Sequence, residues 1–367
     1  MATITERLSN WTLWVPPVAL VTLAVGLLTH PSSVVVMLVL AVVLVASVLA
    51  AVEHAETVAH KVGEPFGSLI LAVAVTIIEV GLIVTLMLSG GKGVETLARD
   101  TVFAAIMITL NGIVGISLLV NAGQTDRAHF RASSSGEALS TIITLALLTM
   151  VVPKYTTAPG DTFSAAQLVF VAIASLTLYA TYVSALTHTH RDYFLPMDSR
   201  GRIIDTDEDG HADPPTTRRA YISLGLLLVA LVSVVGLTKV MSKSIERGVG
   251  ALGLPHAFVG VLIALLVLLP ETIAASRASR RDRVQTSMNL AYGSAMASIG
   301  LTIPVMAALS LFTDIQLSLG LSQLQLTLLA GTAVTSILTV AMGHATRIAG
   351  TVHVVLLAAF VFLAASP

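Results

Sequence analysis

The sequence predicts an all-α polytopic membrane protein of about 11 transmembrane helices, and three observations carry that prediction. The 367 residues are 55% hydrophobic and 11% charged, with a mean hydropathy of +0.89, far from the balance of a water-soluble domain. The apolar residues fall into successive stretches of bilayer-spanning length, separated by short polar connectors. Two of those stretches each hold a single glutamate near the middle and echo one another in sequence. A net charge of −1 supplies no basic face, so nucleic acid is excluded as a partner. With no cysteine, the chain has no disulfide, thiolate metal site or thiol redox chemistry.

Taken in order, the apolar windows predict helices near 12–29, 34–52, 67–89, 101–121, 137–153, 164–186, 221–241, 257–276, 287–311, 325–343 and 346–365. The first follows MATITERLSN and runs on into further spans, so it reads as a helix and not as a cleaved signal. The fifth is cut short by Pro153, and only Gly343 to Arg347 divides the last two. Lysine and arginine then set the orientation. Fourteen of the 20, from Arg7 and Lys61 to the Arg277–Arg283 cluster and Arg347, lie on the side of the N-terminus. The other six (Lys92, Arg99, Lys154, Lys239, Lys243 and Arg247) lie opposite. The bias predicts a multi-pass protein of the bacterial inner membrane with a cytoplasmic N-terminus and an external C-terminus.

The third and eighth windows carry the lone glutamates. FGSLILAVAVTIIEVGLIV runs from Phe66 to Val84 around Glu79, and FVGVLIALLVLLPE runs from Phe258 to Glu271. Aligned on the glutamates, Phe66 meets Phe258, Ala72 meets Ala264 and Val75 meets Val267. The following helices repeat as well. Arg99-Asp100-Thr101-Val102 is echoed by Arg281-Asp282-Arg283-Val284, and each opens an apolar helix with an asparagine inside it, Asn111 or Asn289. In that register Asn111-Gly112 stands opposite Gly293-Ser294. If the first helix is extra, the other ten divide into two fives, and an odd repeat length inserts the second copy upside down relative to the first. The predicted organisation is an N-terminal helix in 1–30, a first repeat in 31–186, an acidic cytoplasmic loop in 187–219 and an inverted second repeat in 220–367.

A carboxylate within an apolar helix costs about 2.5–3.5 kcal/mol to insert, so it is kept for a task or is paired for packing. Pro270 lacks an N–H and clashes with the carbonyl near Leu266, which predicts a kink and loosened backbone oxygen beside Glu271. Two such carboxylates facing across a pseudo-two-fold can hold one divalent cation and take up protons when it leaves. Further oxygen ligands are available from Thr76, Asn111, Asn289, Ser294 and Ser298. Thr76 and Ser298 have an alternative role, bonding their own backbone or letting helices pack closely. Glu64, ahead of Pro65, stands where protons or cations would enter, or else belongs to a solvated connector. In the long loop, Asp205, Asp207 and Asp209 with Gly210 match the first half of an EF-hand loop. Its twelfth position is Thr216 in place of glutamate and Pro214-Pro215 block the exiting helix, so the run is a loose Ca²⁺ sensor or a solvated acidic loop.

GEPFGSLILAVAVTIIEV (63–80), FVGVLIALLVLLPE (258–271) and MNLAYGSAMASIGLTIPV (288–305) resemble the two signature repeats of the calcium/cation antiporter superfamily, and among its members the bacterial ChaA-type calcium/sodium–proton antiporters. The likeness covers nearly the whole chain. It implies an inner-membrane exchanger that expels Ca²⁺, with Na⁺ or K⁺ as further cargo, in return for protons. It also implies that Glu79 and Glu271 are the central ligands, with no enzymatic activity and no cofactor. Many calcium–proton exchangers of the superfamily carry Gly-Asn just before each glutamate, whereas this chain has Thr76 and Leu268 three residues before. Ala297 stands where relatives often place glutamine. Fewer amide oxygens make a poorer divalent cage and give weight to a primarily monovalent Na⁺(K⁺)/H⁺ antiporter. A passive channel would need carboxylate rings or a carbonyl filter, and an intramembrane enzyme a nucleophile with its base. The sequence shows neither pattern, and its ten histidines are scattered.

Overall fold

The computed structural model describes residues 4–29, 31, 33–62, 66–90, 93–186, 215–313 and 315–366, with backbone alone at 4–10 and 66–72. Among the described residues, eleven helical segments follow one another: α1 (Ile4–Thr29), α2 (Val34–Val62), α3 (Phe66–Ser89), α4 (Val94–Thr125), α5 (Ala132–Tyr155), α6 (Ala165–Ser184), α7 (Thr217–Ala251), α8 (Phe258–Arg280), α9 (Val284–Phe312), α10 (Gln323–Ala341) and α11 (Arg347–Ala365). Among the described residues ten are long and apolar enough to cross a bilayer, and α3 adds the apolar stretch Val73–Ser89. The protein is an all-α polytopic membrane protein.

Each apolar window of the sequence corresponds to one helix, but several helices outrun their windows. α2 continues through EHAETVAHKV to Val62, α4 begins at Val94, and α7 extends from Thr217 to Ala251. Alanine, glutamate, lysine and methionine are good helix formers, so the backbone stays helical where the side chains have left hydrocarbon. Two interruptions occur within spans. α4 widens into a π turn at Ile108–Ile113. α5 does so at Leu147–Val151 and then tightens into a 3₁₀ turn at Val152–Tyr155. Pro153 explains the second, because it cannot donate to the Thr149 carbonyl and displaces it. α8, in contrast, runs through Pro270 without a break in its helical course.

The helices pack as two compact units. One comprises α1, α2, α3 and α7 (1–94 and 210–256), and the other comprises α4, α5, α6 and α8–α11 (95–209 and 257–367). In the first unit, α2 packs most extensively on α7. α2 buries a stripe spaced three and four apart, Leu40, Leu44, Ser47, Val48, Ala51 and Ala55, and α7 buries a similar one including Ser223, Leu227, Ala230, Val234 and Met241. Lipid is as apolar as leucine, so close approach through small residues, not hydrophobic burial, holds such helices together. His54 adds a polar tie across the unit, its Nε2 lying 3.0 Å from the Thr12 carbonyl oxygen.

The second unit is fastened at both ends. At one end the α4–α5 and α10–α11 connections pair as two short antiparallel strands, β1 (Ala128–His129) and β2 (His344–Ala345). Arg347 donates there to the carbonyls of Ala122 and Gly123, and Asn121 donates to the Asp282 carboxylate at 2.8 Å. At the other end the α9–α10 connection bonds back to the first turn of α4 and to the α5–α6 connection, through Ser318 N–H to the Glu95 carbonyl and Gly320 N–H to the Asp161 carbonyl. Arg99 spans from the buried Asp100 carboxylate to the Gly320 carbonyl. Connections that pair at one end are separated by an even number of helices, as the count of spans requires.

Candidate functional site

In the first unit Glu79 lies on the buried face of α3, with 4% of its surface exposed. The same face holds Val75, Ile78, Leu82 and Leu86, while Val73, Ile77 and Leu88 point outward. Thr76, one turn earlier, is buried on that face, the position its spacing predicts. In the second unit Glu271 is 6% exposed and belongs to an α8 stripe of Gly260, Ala264, Val267, Leu268, Ala275 and Ser279. α3 opens at Phe66 and α8 at Phe258, so each glutamate stands 13 residues into its helix (79 − 66 and 271 − 258). At about 1.5 Å per residue that is about 20 Å from the start of the helix in each case.

A cavity of about 260 Å³ runs along α8, lined by Thr272, Ile273, Ser276, Arg277 and Arg280. Its lining belongs to the more exposed face of the helix, and one end carries two arginines. The hydroxyls of Thr272 and Ser276 donate to backbone carbonyls one turn back, those of Leu268 and Thr272.

The remaining predicted ligands fall into two groups. On α9, Ser298 is buried and Ser294 half-buried, one turn apart on one face. Asn289 lies toward the α9 N-terminus, where its Oδ1 accepts from Gln285 Nε2 at 2.8 Å. Gln285 in turn accepts from the Arg131 backbone N–H. Asn111 sits on the π turn of α4 with no exposed surface. Its Nδ2 donates to Thr332 Oγ1 of α10 at 2.9 Å, and its Oδ1 is 3.1 Å from His353 Nδ1 of α11. His353 Nε2 is 3.1 Å from Thr339 Oγ1 of α10, which completes a buried polar chain across three helices. Glu64, Asp205, Asp207 and Asp209 lie outside the described residues.

Sequence reasoning missed His353, Thr332, Thr339 and Gln285. One signal was present: Thr332, Ser336 and Thr339 recur at helical spacing in α10 and form its buried face, while Val334, Ile337 and Leu338 face outward. A helix with hydroxyls inward and aliphatic groups outward is built around a polar interior.

The family description "Sodium/calcium exchanger protein" matches residues 32–188 and 222–365. The chain is 41% identical over 362 residues to the putative ionic transporter y4hA of Sinorhizobium fredii (strain NBRC 101917 / NGR234), covering 96% of each chain. It is 32% identical over 317 residues to the sodium-potassium/proton antiporter ChaA of Escherichia coli (strain K12), covering 86% of this chain and 85% of that one. Among solved structures, native YfkE superposes with a TM-score of 0.72 at 16% identity, over 96% of this chain and 99% of that one. The H⁺/Ca²⁺ exchanger CAX superposes with a TM-score of 0.65 at 15% identity, over 97% and 92%. With both halves matched and the fold shared end to end, this chain belongs to the sodium/calcium exchanger family of the calcium/cation antiporters, membrane exchangers of inorganic cations and not enzymes.

Proposed function

We propose that the protein is a proton-coupled cation antiporter of the bacterial inner membrane that exports Ca²⁺, with Na⁺ or K⁺ as further cargo. Glu79 and Glu271 hold the cation in one half of the cycle and protons in the other. The observation that carries this reading is their matched placement. Each is the lone carboxylate near the middle of its apolar helix, 13 residues from a register-equivalent phenylalanine and on the helix's buried face. Thr76, Asn111, Asn289, Ser294 and Ser298 supply further oxygens. Glu64 serves as the approach for protons or cations. The five-helix repeats 31–186 and 220–367 rock about the site, and the 187–219 loop lies in the cytoplasm.

A second reading, a primarily monovalent Na⁺(K⁺)/H⁺ antiporter, is favoured by the residues before the glutamates. Thr76 and Leu268 offer one hydroxyl and no amide. A cage poor in strong oxygen donors discriminates less sharply for a divalent ion that prefers six to eight ligands. The 32% identical relative from Escherichia coli is described as a sodium-potassium/proton antiporter, in keeping with this reading.

Proteoliposomes with an imposed pH gradient decide between them when Ca²⁺, Na⁺, K⁺ and Mg²⁺ are added separately. Collapse of the gradient by micromolar Ca²⁺ alone supports the divalent exchanger. Equal collapse by Na⁺ or K⁺ supports the monovalent one. Cation flux with no proton movement overturns both.

A further inference from the structure

We propose that His353 is a positioning residue of the transport site, acting through Asn111. The inference rests on the reading of Asn111 as a cation ligand. His353 is 1% exposed within the apolar helix α11, and both its ring nitrogens have side-chain partners. The directions of the hydrogen bonds form one consistent chain. Asn111 Nδ2 donates to Thr332 Oγ1, whose hydroxyl hydrogen points to Met107 Sδ at 3.5 Å. That leaves Asn111 Oδ1 as the acceptor toward His353, so Nδ1 carries the ring hydrogen. Nε2 then accepts from the Thr339 hydroxyl. The chain is complete with a neutral imidazole, and a planar amide gripped at both of its ends cannot flip.

The location gives this grip its consequence. Asn111 lies within a π turn, where the helical ladder is loosened and a side chain is aimed off the regular helical track, and such turns cluster at functional sites. α8, the helix of Glu271, packs directly against this turn. His353 reaches it because α4 and α11 cross at two glycines. A Cβ on Gly115 would stand 2.9 Å from the His353 Cβ, and one on Gly350 would stand 2.9 Å from the Leu119 nitrogen. One lone pair of Asn111 Oδ1 is taken by His353, and the second is left to a cation at a fixed angle.

The test uses two substitutions that each keep half of the ring's bonding. In His353→Asn the amide nitrogen replaces Nδ1, keeping the bond to Asn111 and losing the one to Thr339. In His353→Gln the amide replaces Nε2, keeping Thr339 and losing Asn111. Cation-driven proton movement by full-length protein in proteoliposomes is measured against cation concentration, with thermal melting in detergent as the check on folding. His353→Asn is expected to keep the wild-type half-saturating concentration within about threefold, and His353→Gln to raise it about tenfold, the scale of one lost buried hydrogen bond. The double variant His353→Gln/Asn111→Ala should be no worse than Asn111→Ala, because the two act as one unit. Equal transport by the Asn and Gln variants overturns the proposal, as does loss of proton coupling in both, which would make the ring a proton carrier. Wild-type half-saturation in Asn111→Ala would instead remove Asn111 from the site. A raised value there with an unaffected His353→Gln removes only the positioning role.

Discussion

At the scale of single residues, replacing the two buried glutamates gives the most direct readout of the proposed site. Glutamine keeps the shape and hydrogen-bonding capacity of glutamate but holds neither the negative charge nor an exchangeable proton. Glu79→Gln and Glu271→Gln should each reduce proton-coupled cation flux at least about 100-fold, the scale of losing a charged ligand worth about 3 kcal/mol. Thermal melting should be unchanged or raised, because an insertion cost is removed. Near-normal flux in both single variants would sink the site assignment. Both glutamates were legible in the sequence, since a lone carboxylate in an apolar helix stands out. His353 was not, because a lone histidine in an apolar run gains meaning only when α4, α10 and α11 meet around it. Asn111 was legible as an expensive polar residue, but its partners lie 221 and 242 residues away along the chain.

At the scale of the helix, the apolar windows located every span, and what they missed was physical in origin. Hydropathy reports where hydrocarbon ends, whereas helicity continues until capping or turn chemistry stops it, so α2, α4 and α7 exceed their windows. The ends carry the fastening. The buried Asp100 carboxylate accepts from Arg99, from Thr96 Oγ1 at 2.9 Å and from Gln325 Nε2 at 3.1 Å. Gln325 also caps α10, its Oε1 accepting from the Ser322 backbone N–H, so one carboxylate ties the first turn of α4 to that of α10. Asp100→Ala leaves Arg99 without its counter-charge, a change that costs roughly 3–5 kcal/mol when a buried pair is broken. A clear drop in melting temperature is expected, and an unchanged melt would show that water replaces the carboxylate there. The α4–α11 crossing gives a second case. Gly350→Ala drives a methyl to 2.9 Å from the Leu119 nitrogen and 3.0 Å from the Gly115 carbonyl oxygen, both of them backbone atoms that cannot move aside. Overpacking of this kind costs about 1–3 kcal/mol, and separating the helices also pulls His353 from Asn111. Melting temperature and cation half-saturation should therefore worsen together in Gly350→Ala, while an Ala substitution at Gly123, whose Cβ would meet nothing within 4 Å, should change neither.

At the scale of the whole molecule, sequence and packing divide the chain differently. The repeats proposed from sequence run consecutively, 31–186 and 220–367, whereas each packing unit draws helices from both. α3 groups with α2 and α7, and its repeat partner α8 groups with α4 and α9. Repetition is a property of the chain and packing a property of the fold, so neither division could be read from the other. Parity connects them. If five-helix repeats follow one extra helix, the chain crosses the membrane an odd number of times, its termini lie on opposite sides, and the two glutamate helices run in opposite directions. On the proposed orientation, Arg7, the 187–219 loop, Arg347 and the β1–β2 end of the second unit are expected in the cytoplasm. Fusing green fluorescent protein or alkaline phosphatase to the C-terminus, or inserting either within 187–219, tests this directly. Phosphatase should be active and green fluorescent protein dark at the C-terminus, with the reverse in the loop. If both positions gave the cytoplasmic pattern, the number of spans between the loop and the C-terminus would be even, and the five-helix count of the proposed second repeat would fail. Opposite signals at the two positions would leave an odd number of spans between the loop and the C-terminus, as the five helices of the proposed second repeat require.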